Sequence, residues 1–135
     1  MAEPRNHTGS CHCGAVRFEV VVDASSGTRC NCTVCTKTHV TGARATPGAL
    51  TVTQGREDLG GYKTQHATRH FCKHCGVQLY GDGYVEEIGG DFLSVNLNAL
   101  DDIDHSKVKV AYWDGRHDNW QAGMRDAPWP NGVTA

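Results

Sequence analysis

The sequence predicts a mainly β protein built from antiparallel strands and short helical turns. Residues Val16–Val22 give the clearest signal, because apolar residues alternate with Arg17 and Glu19 at the period of two that a half-buried strand shows. Glycine contributes 16 of the 135 residues and marks turns between the candidate strands. No segment carries the long 3.6-residue repeat of an amphipathic helix. We therefore expect one domain over residues 1–135, with its core at about 9–120.

The other elements are predicted from short apolar, β-branched and aromatic runs between turn signals. The further strands, in chain order, are Val40–Ala45, Leu50–Thr53, Gly61–Thr64, Thr68–Phe71, Val77–Gly81, Phe92–Asn96 and Val108–Trp113. Short helical turns are predicted at Thr33–Thr38, at Asn98–Asp102 and near His117–Ala122. The last stretch, Arg125–Ala135, is predicted to be an irregular tail.

Composition and charge exclude several classes of function. The formal net charge is −2 and lysines and arginines form no run, so the electrostatic signature of non-specific nucleic-acid binding is missing. Residues Met1–Ser10 contain no apolar stretch of a signal peptide, and the longest aliphatic run, Val20–Val22, is far too short to span a membrane. We expect a cytoplasmic protein with reduced cysteines and favour metal binding over disulfides.

Seven cysteines in three tight clusters are the strongest chemical signal. The clusters are Cys11 with Cys13, then Cys30 with Cys32 and Cys35, then Cys72 with Cys75. Thiolates two or three residues apart can converge on one cation, which makes zinc the first hypothesis. Two four-thiolate sites would need eight cysteines. The simplest partition is one closed four-cysteine site, typical of structural zinc, and one three-cysteine site with the open position typical of catalytic zinc.

The first and third clusters together make the predicted structural site. Its ligands would be Cys11, Cys13, Cys72 and Cys75, with Gly14 and Gly76 supplying the positive φ that closes each turn. Such a site would tie the start of the first strand to a later hairpin. The alternatives are a redox role for the Cys72–Cys75 pair and iron–sulfur ligation.

The second cluster places three thiolates within six residues, Cys30–Cys35. Its open position would suit a thiol, which binds zinc as a thiolate and is then nucleophilic at neutral pH. The alternative is that His39 completes a second structural site. His12 and His74 lie inside clusters, where we expect their rings to flank the metal without binding it.

Two further groups of residues have two interpretations each. The basic residues Lys37, Arg44, Arg56, Lys63 and Arg69 either contact the carboxylates of an anionic thiol substrate or lie on solvated strand faces. The polar and aromatic stretch Tyr112–Trp120 either packs over the sheet or lines the pocket. Neither a Ser/His/Asp order, a phosphate-binding glycine loop nor paired carboxylates stand out, so no catalytic residue is named.

The motifs at Gly9–Phe18, Cys30–Cys35 and Phe71–Gly76, taken in order, resemble those of the glutathione-dependent formaldehyde-activating enzyme family. That family also includes centromere protein V and many bacterial members. The resemblance runs from about Gly9 to Trp120 and implies a β-tent fold with two zinc ions. It implies that Cys11, Cys13, Cys72 and Cys75 hold the structural zinc, and that Cys30, Cys32 and Cys35 hold the zinc at which glutathione reacts.

The expected function is therefore that of a zinc-dependent carbon–sulfur lyase or synthase. It would join a small thiol such as glutathione to an aldehyde such as formaldehyde, giving S-hydroxymethylglutathione, with no nucleic-acid or membrane partner. The alternative from another class is a non-catalytic, zinc-stabilised protein-binding module. A redox or zinc-storage role for labile thiolates is the third possibility.

Overall fold

The fold, seen in a computed structural model that describes residues 3–132, is dominated by β-strands. In chain order the elements are β1 (Arg5–Ser10), β2 (Arg17–Val22), β3 (Ser26–Cys30), α1 (Thr33–Thr38), β4 (Gly42–Gln54), β5 (Leu59–Lys63), β6 (Ala67–Cys72), β7 (Gln78–Val85), β8 (Gly90–Asn96) and β9 (Lys109–Trp113). Short 3-10 turns lie at Arg56–Asp58, Glu86–Ile88, Leu97–Ala99, His105–Lys107, Gly115–His117 and Trp120–Ala122. The predicted mainly β class is confirmed.

One sheet contains all of these strands. Seven of them follow the antiparallel path β1-β2-β4-β8-β7-β6-β5, while β3 pairs with β4 and β9. The β3–β9 pair is parallel, from Ser26 opposite Lys109 to Cys30 opposite Trp113. Since parallel strands end at the same edge, the loops that follow Cys30 and Trp113 emerge side by side.

The core lies against one face of β2 and the middle strands. In β2 the side chains of Phe18, Val20 and Val22 are buried and the intervening ones are exposed, as the alternation predicts. They pack with Leu79 of β7 and with apolar residues of β8 and of the turn after it. Val95 of β8 is fully buried in this cluster.

Two strands escape prediction because they are polar. β1 reads RNHTGS and β3 reads SGTRC, so neither has an apolar alternation, and both are defined by pairing with neighbours instead. In contrast, β4 merges two predicted strands into one of thirteen residues. Pro47 and Gly48 lie within β4 beside a register shift, consistent with the bulges at which proline and glycine occur in strands.

The predicted helical turns are found with shifted bounds. α1 coincides with Thr33–Thr38, the second turn is Leu97–Ala99 instead of Asn98–Asp102, and the third divides into two 3-10 turns. In the predicted irregular tail, Arg125 forms an isolated bridge with Tyr112. Residues 133–135 of the tail lie outside the described residues, and so do Met1 and Ala2 at the start of the chain. None of the helices within residues 3–132 has the length and apolar character that a membrane crossing requires.

Candidate metal centres and the adjoining cavity

The first and third cysteine clusters meet in space. The sulfur atoms of Cys11, Cys13, Cys72 and Cys75 all lie within 4.8 Å of one another. Cys13 Sγ is 3.6 Å from Cys11 Sγ and 3.7 Å from Cys72 Sγ, far beyond a disulfide bond. Zinc–sulfur bonds of about 2.3 Å in a tetrahedron place the sulfurs roughly 3.8 Å apart, so this donor set fits zinc in type, number and spacing.

Two similar turns present these four sulfurs. In the first, the Gly14 N–H donates to the carbonyl oxygen of Cys11 at 3.1 Å; in the second, the Gly76 N–H donates to that of Cys72 at 2.8 Å. Both glycines have the positive φ expected from the sequence, 78° and 80°. Backbone N–H groups of Val16 and His74 point at the sulfurs of Cys11 and Cys72, each at 3.3 Å, and stabilise negative charge there.

The electrostatics of the four-cysteine cluster favour a bound cation. Burial opposes ionisation of Cys75, but backbone hydrogen bonds at Cys13 and Val77 outweigh it and lower the pKa of Cys75 to about 6. A backbone hydrogen bond at Ala15 favours the Cys13 thiolate, yet burial and the neighbouring thiols raise the pKa of Cys13 to about 11. Thiolates packed this closely repel one another, so a cation that neutralises them is favoured.

The second cluster lies at the end of β3 and the start of α1. Cys30 ends the strand, Cys32 precedes the helix as its N-cap, and Cys35 lies within it. The neighbouring Cys30 and Cys35 thiols lower the pKa of Cys32 to about 2, and the pKa values of Cys30 and Cys35 are raised by the thiols beside them. The three thiols thus form one interacting group whose donor type suits zinc with an open position.

The spacing of the second cluster is looser than that of the first. Within residues 3–132, the only group of three or more Cys, His, Asp and Glu side chains whose ligand atoms all lie within 4.8 Å is the four-cysteine cluster. His39, the alternative fourth ligand, belongs to no such group. It is exposed and ends α1 in a left-handed conformation with φ 58°.

A buried carboxylate fixes the loop of the second cluster to the segment after β9. Asp114 Oδ1 accepts from Asn31 Nδ2 at 2.7 Å and lies 2.7 Å from His117 Nδ1, while Asp114 Oδ2 accepts from Asn119 Nδ2 at 3.2 Å. The Arg116 backbone N–H donates to Asn31 Oδ1 at 2.9 Å. The pairing of Asn31 with Asp114 could not be predicted from the sequence, because it depends on the parallel β3–β9 contact.

Gly115 separates the second cluster from an aromatic side chain. A Cβ atom at this position would lie 2.3 Å from Cys30 Sγ and 2.8 Å from the ring of Trp120. Glycine is therefore required for Cys30 and Trp120 to approach the same backbone so closely. Trp120 also contacts Trp113 edge-on, with ring centroids 5.6 Å apart.

A cavity of about 330 Å³ opens beside the second cluster. Cys30 and Cys35 form part of its wall, and the sheet supplies Arg44, Arg69, Gly81 and Ser94. Trp120 lines the cavity as well, so the Tyr112–Trp120 stretch contributes to the pocket wall. Its volume is at the lower end of the range typical of small-molecule pockets.

The five basic residues singled out from the sequence lie in different places. Arg44 and Arg69 share the cavity with Cys30 and Cys35, and Arg69 Nη2 donates to Cys35 Sγ at 3.3 Å. Arg56 lines a separate cavity, while Lys37 and Lys63 are exposed. Among the other histidines, His74 pairs with Asp58 at 2.8 Å and His12 is exposed.

Comparisons with known proteins agree with these features. The sequence model of the family described as "Glutathione-dependent formaldehyde-activating enzyme" matches residues 6–116, a span that contains all seven cysteines. A Halomonas elongata protein named "Putative glutathione-dependent formaldehyde-activating enzyme" is 37% identical over 83 residues, which is 53% of this chain and 53% of that protein. The alignment thus spans about half the length of this relative.

A solved structure is similar over nearly the whole chain. The crystal structure of a Rhodobacter sphaeroides protein superposes with a TM-score of 0.66 at 25% sequence identity, covering 91% of this chain and 99% of that one. The similarity therefore extends across most of the fold.

Proposed function

Since this chain belongs to the glutathione-dependent formaldehyde-activating enzyme family, we propose that it is a zinc-dependent carbon–sulfur lyase or synthase. Its substrates are a small thiol such as glutathione and an aldehyde such as formaldehyde. In this proposal the chain forms a single domain over residues 1–135 and acts in the cytoplasm, where its thiols stay reduced.

The metal ligands in this proposal follow the two cysteine groups. Cys11, Cys13, Cys72 and Cys75 would hold a structural zinc ion, and Cys30, Cys32 and Cys35 a second zinc ion with an open position. The single observation that supports a reaction at the second group is its location, because Cys30 and Cys35 form part of the wall of a cavity large enough for a small molecule.

The chemistry consists of forming or breaking one carbon–sulfur bond. The substrate thiolate donates an electron pair to the aldehyde carbon, and the carbonyl π pair moves to oxygen, which takes up a proton from solvent. The product is a hemithioacetal, which is S-hydroxymethylglutathione when the reactants are glutathione and formaldehyde. The reverse steps release thiol and aldehyde. Zinc bound to the three cysteines would supply a Lewis acid that keeps the substrate thiol ionised at neutral pH.

The residues of the chain position and enclose the reactants. Arg69 places positive charge beside Cys35, which offsets the negative charge that three thiolates bring to one loop. Asp114 and Asn31 hold the cysteine loop in place, and Trp120 covers one side of the cavity. Holding the thiol and aldehyde in one enclosed space supplies the proximity term of catalysis.

The proposal is tested by following ¹³C-formaldehyde and glutathione by NMR exchange with the zinc-loaded protein. We expect interconversion of free and thiol-bound formaldehyde above the uncatalysed rate, and its loss in Cys32→Ser. A wild-type protein that holds two zinc ions and leaves the uncatalysed rate unchanged would contradict the proposal and favour the non-catalytic binding module.

A further inference from the structure

Two arginines on one face of the sheet lead to an inference that rests on the proposed function. We infer that Arg69 and Arg44 determine specificity by holding a carboxylate of the thiol substrate above Gly81 and Ser94. The substrate class is then a thiol whose carboxylate lies a few bonds from its sulfur.

The strand register places these four residues in one row. Arg69 of β6 is opposite Gly81 of β7, Gly81 is opposite Ser94 of β8, and Ser94 is opposite Arg44 of β4. Directly opposed residues of antiparallel strands point to the same face. Three strand spacings put the Cα atoms of the two arginines roughly 14 Å apart. Two long side chains thus flank a floor made of a glycine and a serine.

Neither arginine is neutralised by a carboxylate within the described chain. All four ion pairs found among residues 3–132 join a histidine to an aspartate. No Asp or Glu of that part of the chain lines the cavity. Arg44 instead lies over the ring of Phe92, 5.3 Å from its centroid. Two guanidinium groups that face one cavity without a carboxylate partner favour an anionic ligand.

Arg69 connects this anion site to the reacting thiols. Its Nη2 donates to Cys35 Sγ, whereas its Nε is buried and has no hydrogen-bond partner within the described chain. A buried donor without a partner is costly, and a ligand oxygen would satisfy it. The Arg69 guanidinium contacts both the cysteine cluster and the cavity. A substrate carboxylate bound by Arg69 would therefore lie close to a substrate sulfur bound beside Cys35.

Two small thiols that differ in their anionic group provide the probe. The zinc-loaded protein is titrated calorimetrically with 3-mercaptopropionate and with 2-mercaptoethanol at low ionic strength. We expect the wild type to bind the carboxylate thiol about tenfold more tightly, the effect of one charge-assisted hydrogen bond. Added salt should reduce this preference.

Variants locate the preference in the row of four residues. Arg69→Gln and Arg44→Gln should each remove most of it, and Arg69→Lys should keep part of it. Gly81→Val should also reduce the preference without a change in charge, because its side chain would fill the floor between the two arginines. The fold should accept this substitution, since a Cβ at Gly81 meets only the Thr68 carbonyl oxygen at 3.5 Å. The matched control is Arg56→Gln, an exposed arginine that lines a different cavity and should leave the preference unchanged.

The results separate this inference from the proposed function. If Arg69→Gln weakens both thiols equally, or if the wild type shows no preference, the inference is wrong even where formaldehyde exchange proceeds. If neither thiol binds and no exchange occurs, the proposed function fails and the inference with it. Should Arg69→Gln fail to fold, an unchanged preference in Arg44→Gln and Gly81→Val overturns the inference.

Discussion

Gly115 is a single residue on which the geometry of the second cysteine cluster depends. Gly115→Ala would introduce a Cβ that overlaps Cys30 Sγ and the Trp120 ring. We expect zinc content to fall from two ions per chain toward one, and the free energy of unfolding to fall by about 1–3 kcal/mol, as for other overpacked sites. Metal analysis and denaturant unfolding measure both effects.

The control for this substitution is Gly81→Ala, where the added Cβ makes only an ordinary contact with the Thr68 carbonyl oxygen at 3.5 Å. It should keep both metal ions. Full zinc occupancy in Gly115→Ala would show that Cys30 can move without loss of the second site, contrary to our account.

Asp114 should contribute to the pH dependence of stability. Burial opposes its ionisation, but hydrogen bonds from Asn31, His117 and Asn119 prevail and hold its pKa below the ordinary value of 3.8. Because the native pKa is depressed, the stabilisation is present above that ordinary value and is lost as pH falls through the native pKa. Asp114→Asn should be less stable than wild type at neutral pH, with a difference that shrinks toward about pH 3.

Denaturant unfolding at each pH, with wild type and variant compared directly, measures that difference. The comparison is needed because the cysteine thiolates also take up protons in acid. The exposed Asp91 provides the control, Asp91→Asn, which should match wild type throughout. A destabilisation by Asp114→Asn that stays constant from neutral to acid pH would refute the proposed charge effect.

Residue identity predicted some of the site and missed other parts for a definable reason. The cysteines and the positive φ of Gly14 and Gly76 follow from local motifs, because each turn is made by neighbouring residues. The separation of Arg44 and Arg69 from the other basic residues does not, since it depends on cross-strand register. Register between strands distant in sequence leaves no local periodicity to read.

At the scale of elements, β2 was predictable and β3 was not. The alternation in β2 reports one buried face, whereas β3 is a short polar strand held by β4 and β9. The parallel β3–β9 pair nevertheless decides where the second cysteine cluster lies, because it sets the loop at Asn31 beside the loop at Asp114. The four-cysteine group is presented by two local turns, so the spacing of the cysteines in the sequence was enough to predict it.

The two cysteine-bearing elements should respond differently to serine substitution. Cys75 belongs to the turn between β6 and β7, so Cys75→Ser should remove the structural metal and unfold the domain. Structural zinc in small domains carries an apparent binding free energy of about 10–16 kcal/mol, much of it expressed as folding energy. Cys32 begins α1 beside the cavity, so Cys32→Ser should lose one zinc ion and the exchange activity while staying folded.

Circular dichroism and metal analysis on the two variants distinguish these outcomes. If both variants unfold alike, the division into a structural and a reactive site is wrong. If Cys75→Ser keeps a cooperative unfolding transition and two metal ions, the four-cysteine group is not the structural site.

At the scale of the whole molecule, the four-cysteine cluster brings together two distant parts of the sheet. Its first two cysteines lie between β1 and β2, and the other two lie at the end of β6 and in the turn before β7, toward opposite ends of the seven-strand path. The sheet must bend for Cys13 Sγ to reach within 3.7 Å of Cys72 Sγ. The hydrophobic pattern gave no sign of this contact, whereas the cysteine clusters predicted that the start of the first strand meets a later hairpin. The second cluster does not take part in this contact and lies beside the cavity.

The most direct test of two sites with different roles is a thiol titration of the cobalt-substituted protein. We predict two cobalt ions per chain, with glutathione altering the visible bands of one ion only, and no such change in Cys32→Ser. A single bound ion, or two ions whose bands are both insensitive to glutathione, would contradict an open, thiol-binding metal site at Cys30, Cys32 and Cys35.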